Sequence, residues 1–173
     1  MKNKIASLAL VAVFFFSFFQ MINIGNITSD SMDPEFRVGN KVVINRLSYV
    51  KKNPSRGDII AFEKDGQKLI KRIIGIEGDK IESIDGTVLI NGYVLEEDYI
   101  EENMETNFVN SFEVPEGCYF VLGDNREISY DARYWDEAYI SREDIIGRVV
   151  YCFAGIPGKN INSFDTVVVE ATK

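Results

Sequence analysis

Residues 59–76 read IIAFEKDGQKLIKRIIGI, in which two apolar runs are separated by a short polar stretch. Short apolar runs bounded by turn residues are typical of β-strands. The pair Asp65-Gly66 between them fits a two-residue hairpin turn, because both central residues of that turn take positive φ. The stretch therefore predicts a β-hairpin whose strands cover Ile59–Phe62 and Lys68–Ile76.

Similar turn signals recur along the chain, at Asp85-Gly86 and at Asn91-Gly92. Glu96–Asn110 is acidic and irregular and predicts a surface excursion. Ser141, three residues before Asp144, predicts the start of a helix or 3₁₀ turn. The other predicted strands are Lys41–Ile44, Lys80–Ser83, Val88–Ile90, Tyr93–Leu95, Cys118–Leu122, Gly147–Phe153 and Thr166–Val169. Many short strands with regular turns indicate a mainly β, antiparallel fold of barrel or sandwich type.

The composition excludes several classes of function. The chain has 173 residues, a formal net charge of −8 and no histidine. The acidity argues against nucleic-acid binding, because phosphate contacts need clustered Lys and Arg. Without histidine, Cys118 and Cys152 cannot build a zinc site, and no metal or cofactor is predicted. Both cysteines lie in apolar runs, which favours buried free thiols; a single disulfide between them is the alternative.

The N-terminus carries an apolar stretch from Ile5 to Ile24, preceded by Lys2 and Lys4. Twenty helical residues span roughly 30 Å, about the hydrocarbon thickness of a bilayer. We therefore expect residues 5–24 to form a single membrane-spanning helix, with residues 1–4 in the cytoplasm and 25–173 outside the cell membrane. A cleaved signal peptide is the alternative, but no clear pair of small residues follows the apolar core. Either way, the folded domain is exported.

Ser31 lies in a short polar loop just beyond this apolar stretch. Taken alone, it is more typical of a surface serine than of a nucleophile. A chain without histidine has no imidazole base, so a lysine is the natural candidate to activate a serine. Strand alternation puts Lys71 on one face with Leu69 and Ile73. Burial there would lower the pKa of the Lys71 amine and let it accept a proton, whereas an edge-strand lysine would extend its amine to water.

Four segments, taken together and in this order, resemble the sequence boxes of the type I signal peptidases, the membrane-bound Ser-Lys endopeptidases of bacteria. These segments are Ser29–Pro34, Gly57–Phe62, Lys71–Asp79 and Gly123–Arg133. With the apolar N-terminal segment, the resemblance covers nearly the whole chain. It implies an antiparallel, β-rich signal-peptidase-like catalytic domain with a small cap at about residues 80–114.

The resemblance also implies roles for individual residues. Ser31 would be the nucleophile and Lys71 the general base, with Ser129 orienting the Lys71 amine. The hydroxyl of Ser29 and the backbone N–H of Ser31 would form the oxyanion hole. The structural residues beside the site would be Gly123, Asp131 and Arg133. Shallow apolar substrate pockets would be lined by Ile27, Met32, Phe36 and Ile70.

The function implied is the removal of N-terminal signal peptides from exported preproteins, with membrane lipid as the other contact. Two positions depart from the common family pattern, Glu35 after the proline of the first box and Ala132 in the last box. Neither departure removes a catalytic atom, although Glu35 adds negative charge near the cleft.

Two other functions compete with this interpretation. A related factor dedicated to processing or assembling pilin precursors shares the family, but the non-catalytic members lack the Ser-Lys pair that this chain has. A self-cleaving repressor shares the Ser-Lys chemistry, but it would need a DNA-binding domain or a cleavable linker in a cytosolic protein. The apolar N-terminal segment and the net acidity exclude the repressor.

Overall fold

The computed structural model describes residues 21–153, and the predicted strand at 166–169 lies outside this range. The described chain is mainly β and antiparallel, as the turn signals predict. Its strands are β1 Ile22–Asn26, β2 Lys41–Asn45, β3 Ile59–Lys64, β4 Gln67–Ile76, β5 Lys80–Ile84, β6 Thr87–Ile90, β7 Tyr93–Val94, β8 Phe112–Glu113, β9 Cys118–Leu122, β10 Ile140–Ser141 and β11 Ile145–Phe153.

The larger of two sheets has seven strands in the order β1-β2-β11-β3-β4-β9-β10. The predicted hairpin forms its centre, because β3 and β4 pair from Ile59 with Arg72 to Lys64 with Gln67. The two turn residues, Asp65 and Gly66, have φ of 52° and 76°. Strand β4 is thus hydrogen-bonded on both sides, to β3 and to β9.

The smaller sheet has four strands in the order β7-β6-β5-β8. It is formed by residues 80–113, the range over which the sequence predicts a small cap. Its two hairpin turns, at residues 85–86 and 91–92, again have positive φ at both central residues. The acidic excursion connects β7 to β8 and leaves this sheet to contact the first one, as described below.

Three clusters of buried apolar side chains form the core, and β4 contributes to all of them. Ile70 belongs to the first cluster, Leu69 and Ile73 to the second, and Ile74 to the third. Both faces of β4 are therefore covered, and every residue from 69 to 75 is buried. Any charged side chain in that stretch must lie inside the protein.

The start of the chain differs from the prediction. Residues 22–24 lie in β1, where Ile24 pairs with Val43 of β2, and not in a membrane helix. A continuous apolar run does not reveal this boundary, because the same residue types serve a membrane helix and a strand. Met21 lies in a turn, and the remaining part of the predicted anchor, residues 5–20, lies outside the described residues. Within residues 21–153, no helix is long and apolar enough to cross a membrane.

Two smaller predictions concern the cap at Ser141 and the state of the two cysteines. Ser141 caps a single-turn 3₁₀ helix, Arg142–Asp144, and the Asp144 side chain accepts the backbone N–H of Ser141 in a complete capping box. Cys118 and Cys152 are both free and half-buried, so the alternative of a disulfide between them is wrong.

Candidate active site

Lys71 lies in the middle of β4, with its side chain inside the protein. Its cross-strand partner on β3 is Ile60, and only 2% of the residue is exposed. The amine donates a hydrogen bond to Ser129 Oγ over 2.9 Å. The alternative of an edge-strand lysine extending to water is therefore wrong.

Burial lowers the pKa of the Lys71 amine to about 8. The charge of Asp131 acts in the opposite direction, Arg133 adds to the lowering, and Asp124 opposes it. Within residues 21–153 no carboxylate forms an ion pair with Lys71, so desolvation determines the result. A substantial fraction of these amines is neutral in mildly alkaline solution and able to accept a proton.

Ser31 lies at the start of a turn that follows β1. It is 5% exposed, and its carbonyl oxygen accepts the backbone N–H of Asn125 at 3.1 Å. The hydroxyl of Ser29, itself 7% exposed, donates to Ser31 Oγ at 3.3 Å. The two serines therefore lie together, and a backbone hydrogen bond holds their loop against the turn after β9.

Gly123 begins that turn, and its missing side chain permits the close approach of the two segments. A Cβ at this position would overlap Ser129 Oγ and the carbonyl oxygen of Ser31, and it would lie 2.6 Å from Ser129 Cβ. The backbone N–H of Gly123 donates to Asp131 Oδ2 at 3.0 Å. Glycine is thus required here by space, since any side chain would separate the serine loop from Ser129.

Asp131 and Arg133 form a buried ion pair beside these residues. Arg133 Nε donates to Asp131 Oδ1 at 2.8 Å, and Arg133 Nη2 donates to Asp131 Oδ2 at 3.0 Å. Arg133 also donates to the backbone carbonyl of Ser129 at 3.3 Å. The pair therefore supports the backbone of the residue that receives the Lys71 amine.

Ser31 and Lys71 both line one open cavity of about 1290 Å³. The apolar and aromatic side chains that line the same cavity include Leu69, Ile128, Tyr130 and Trp135. The arrangement places a serine hydroxyl and a buried, partly neutral amine in one cleft that is large enough for a peptide segment. A serine hydroxyl and a neutral amine can serve as nucleophile and general base for attack on a carbonyl without an imidazole.

The four residues expected to line substrate pockets have a different environment. Ile27, Met32, Phe36 and Ile70 are 0–3% exposed and pack together in the first core cluster. None of these four is among the described residues that line the cavity. Apolar character alone does not distinguish a pocket wall from the core beneath it, so the assignment of these four residues to substrate pockets stays a prediction.

Sequence reasoning missed two buried ion pairs near the site. Arg72 binds Asp124 with both ends of its guanidinium, at 2.8 and 2.6 Å. Arg126, 0% exposed in its side chain, pairs with Glu97 of the acidic excursion. Strand alternation could have indicated the first pair. It puts Arg72 on the face of Ile70 and Ile74, where a buried guanidinium needs a carboxylate partner. Nothing in an acidic, irregular segment distinguishes Glu97 from its exposed neighbours.

Comparison with known proteins places the chain among peptidases. Residues 2–154 match the family described as "Signal peptidase, peptidase S26". The chain belongs to this signal peptidase family. Among the described residues of this family member, no group of side chains could hold a metal ion.

Three relatives illustrate the similarity. "Probable signal peptidase I-2" of Synechocystis sp. is 37% identical over 139 residues, which are 76% of this chain and 62% of that protein. "Signal peptidase I" of Leptolyngbya laminosa is 38% identical, over 73% of this chain and 66% of that protein. "Signal peptidase IB" of Staphylococcus aureus is 31% identical, over 73% and 75% respectively. This signal peptidase family member thus spans less than two thirds of the first two.

Among solved structures, the chain is similar to the crystal structure of a signal peptidase I from Enterococcus faecalis. The two are 37% identical, with a TM-score of 0.48, and the match covers 57% of this chain and 98% of the other. The alternative of pilin-dedicated processing gains no support from the names of these relatives, and it stays a prediction.

Proposed function

We propose that this protein is a membrane-anchored serine endopeptidase that removes N-terminal signal peptides from exported preproteins. The observation that carries the proposal is the buried Lys71 amine, held by Ser129 in the same cavity as Ser31. Membership of the signal peptidase family supports the substrate class. The apolar run at residues 5–20 supports the anchor, with the catalytic domain on the outer side of the membrane.

In the proposed reaction, the neutral Lys71 amine takes the proton of Ser31 as Oγ attacks the scissile carbonyl carbon. The tetrahedral intermediate collapses to an acyl-enzyme, and the protonated amine gives its proton to the leaving peptide nitrogen. Lys71 then takes a proton from water as that water attacks the ester, and it returns the proton to Ser31 Oγ as the signal peptide leaves. Ser129 keeps the amine in place through both steps, because its hydroxyl oxygen accepts a hydrogen bond from the amine.

The charge that develops on the carbonyl oxygen needs hydrogen-bond donors. The backbone N–H of Ser31 and the hydroxyl of Ser29 are the proposed donors, and both belong to the loop held against Asn125. In the absence of substrate the Ser29 hydroxyl donates to Ser31 Oγ, so it must turn toward the carbonyl oxygen when a peptide binds. A single oxyanion donor is worth about 10²–10³ in rate.

The test uses the full chain in detergent and a labelled preprotein with a signal peptide. We expect wild type to cleave once, at the end of the signal peptide, and Ser31→Ala and Lys71→Ala to abolish cleavage while retaining the wild-type circular dichroism spectrum. Ser55→Ala, which changes an exposed serine outside the cavity, is the matched control. Cleavage by wild type should rise with pH through about 8, as Lys71 loses its proton.

Near-normal cleavage by folded Lys71→Ala would remove the lysine from the mechanism. An active wild type whose rate is the same at pH 6 and pH 9 would do the same. Failure of wild type to cleave any signal-peptide substrate would overturn the proposed activity itself.

A further inference from the structure

The proposed mechanism uses no residue of the acidic excursion, yet this segment reaches the active-site turn. Glu97 Oε2 accepts Arg126 Nη1 at 3.1 Å, and Oε1 accepts Nη2. The Arg126 side chain is 0% exposed and that of Glu97 is 8% exposed. A fully buried guanidinium thus depends on one carboxylate from a segment that is otherwise mostly at the surface.

The excursion makes three more contacts with the same region. The hydroxyl of Thr106 accepts Arg126 Nη1, and Met104 Sδ accepts the backbone N–H of Arg126 at 3.1 Å. The ring of Tyr99 lies 3.9 Å from the guanidinium carbon of Arg72, the residue after Lys71. Contacts to two buried cations, Arg72 and Arg126, show that the excursion is folded against the site and is not a freely solvated loop.

Arg126 in turn holds the backbone on which the site is built. Its Nε donates to the carbonyl of Gly123 at 2.9 Å, and its own carbonyl accepts Arg133 Nη2 at 2.9 Å. Gly123 is the residue where Ser31 and Ser129 approach each other, and Arg133 supports the carbonyl of Ser129. The position of the Arg126 guanidinium therefore bears on the position of Ser129 Oγ.

Glu97 determines whether that guanidinium stays in place. The Arg126 side chain cannot lose its proton, so without Glu97 it would be a buried cation with no carboxylate hydrogen-bonded to it among the described residues, and only the more distant charges of Asp131 and Asp124 would remain. Such a group moves toward water or admits water around it. Either change would release the Gly123 carbonyl and loosen the turn that carries Ser129.

We propose that Glu97 is a positioning residue: it fixes Arg126, and Arg126 fixes the Gly123–Ser129 turn that sets Ser129 against the Lys71 amine. The inference rests on the proposed function, because it assigns Glu97 a part in that same site. It makes the excursion a required support of the active site, although no residue of the excursion that contacts Arg126 lines the cavity.

The experiment compares Glu97→Gln with two matched controls, all in the full chain. Glu96→Gln changes the exposed carboxylate next to it. Arg56→Gln breaks another partly buried ion pair, Arg56 with Asp79 at 2.9 Å, and controls for loss of stability alone. For each variant we would measure the melting temperature, kcat and KM for preprotein cleavage, and the titration of Lys71 by NMR of its labelled Cε.

Loss of a charged hydrogen-bond partner should lower kcat of Glu97→Gln by about tenfold, with KM within about twofold of wild type. The Lys71 titration should move up from about 8 toward the ordinary lysine value, because water reaches the amine. The groups facing that amine, Asp131, Arg133 and Asp124, are unchanged in the variant. Arg56→Gln should lower the melting temperature but leave kcat and the titration as in wild type, and Glu96→Gln should change none of these quantities.

The inference is overturned if folded Glu97→Gln keeps the wild-type kcat and Lys71 titration, or if Arg56→Gln lowers kcat as much. If Glu97→Gln does not fold, Thr106→Val takes its place, since it removes one contact to Arg126 and leaves the ion pair; it should show the same changes at smaller size. Because the NMR titration needs no substrate, the inference can be tested even if wild type cleaves no preprotein, which is the result that would overturn the proposed function.

Discussion

The two faces of β4 hold adjacent cations, Lys71 and Arg72, that are buried to similar extents and have opposite protonation behaviour. Lys71 is 2% exposed and Arg72 8% exposed. Burial lowers the pKa of Lys71 to about 8. Burial also pushes the pKa of Arg72 down, but the hydrogen-bonded carboxylate of Asp124 outweighs it and raises that pKa.

The difference between the faces is therefore the counter-ion and not the depth. On the Lys71 face the amine meets Ser129 Oγ, a neutral acceptor, and within residues 21–153 no carboxylate forms an ion pair with it. On the Arg72 face the guanidinium meets a carboxylate at both ends. One strand thus presents a base on one face and a permanent structural cation on the other, and substitutions that exchange these properties test the comparison.

The largest effect is expected when the Lys71 face is given the property of its neighbour. In Lys71→Arg the cation stays charged at every accessible pH, so it cannot accept the Ser31 proton. We expect preprotein cleavage to fall by about 10³-fold or more, the upper range for loss of a general base. Single-turnover cleavage between pH 7 and 10 measures this, and recovery of the rate at high pH would show that a neutral base is not required.

The next effect is expected when the Arg72 face loses its counter-ion. Asp124→Ala leaves a buried guanidinium without a carboxylate and should reduce the free energy of unfolding by about 3–5 kcal/mol. The double variant Arg72→Met with Asp124→Leu removes both charges and should recover most of the loss. Urea unfolding monitored by circular dichroism gives both values. A double variant as unstable as Asp124→Ala would show that the shape of the pair, and not its charge, matters.

The smallest effect sharpens the comparison through stability and pH. The folded-state pKa of Lys71 is about 8, below its ordinary value of 10.5, so the unfolded chain binds more protons between those two pH values. The free energy of unfolding therefore rises from pH 8 to 10.5 through this group. Below pH 8 the folded protein bears the full cost of keeping the charged amine buried.

Removing the amine should accordingly stabilise the protein at neutral pH. We expect the free energy of unfolding of Lys71→Met to be about 3 kcal/mol higher than that of wild type at pH 7. This difference should shrink as the pH approaches 10.5. Urea unfolding of both proteins at several pH values measures the difference, in which the titration of all other groups cancels. A difference independent of pH would mean that packing of the methionine, and not the charge, explains it.

The sequence predicted most of the sheet because its turns carry strong local signals. Asp65-Gly66, Asp85-Gly86 and Asn91-Gly92 each take positive φ at both residues, and strands follow on either side. The two-residue strands β8 and β10 have no such pattern, because they depend on a neighbouring strand for their pairing. β1 was hidden by the apolar residues that precede it without a break.

The candidate site was predictable where it depended on alternation and on the resemblance, and not where it depended on tertiary contact. Alternation put Lys71 on an apolar face, and the structure gives it the Ser129 partner. The four apolar residues assigned to pockets, from Ile27 to Ile70, are in the core, since burial is a property of the whole fold. The sequence places Glu97 in a surface excursion, because only the folded chain brings it to Arg126.

The pairing of β1 has a mechanical consequence. Every residue of β1 pairs with β2, and the carbonyl of Met21 accepts the backbone N–H of Arg46 at 3.1 Å. A force or a torque applied to the chain at residue 21 therefore acts directly on the large sheet, because no unpaired segment lies between residue 21 and β1. The loop that carries Ser31 thus starts from a strand whose every residue is paired, so its starting point is fixed relative to the large sheet.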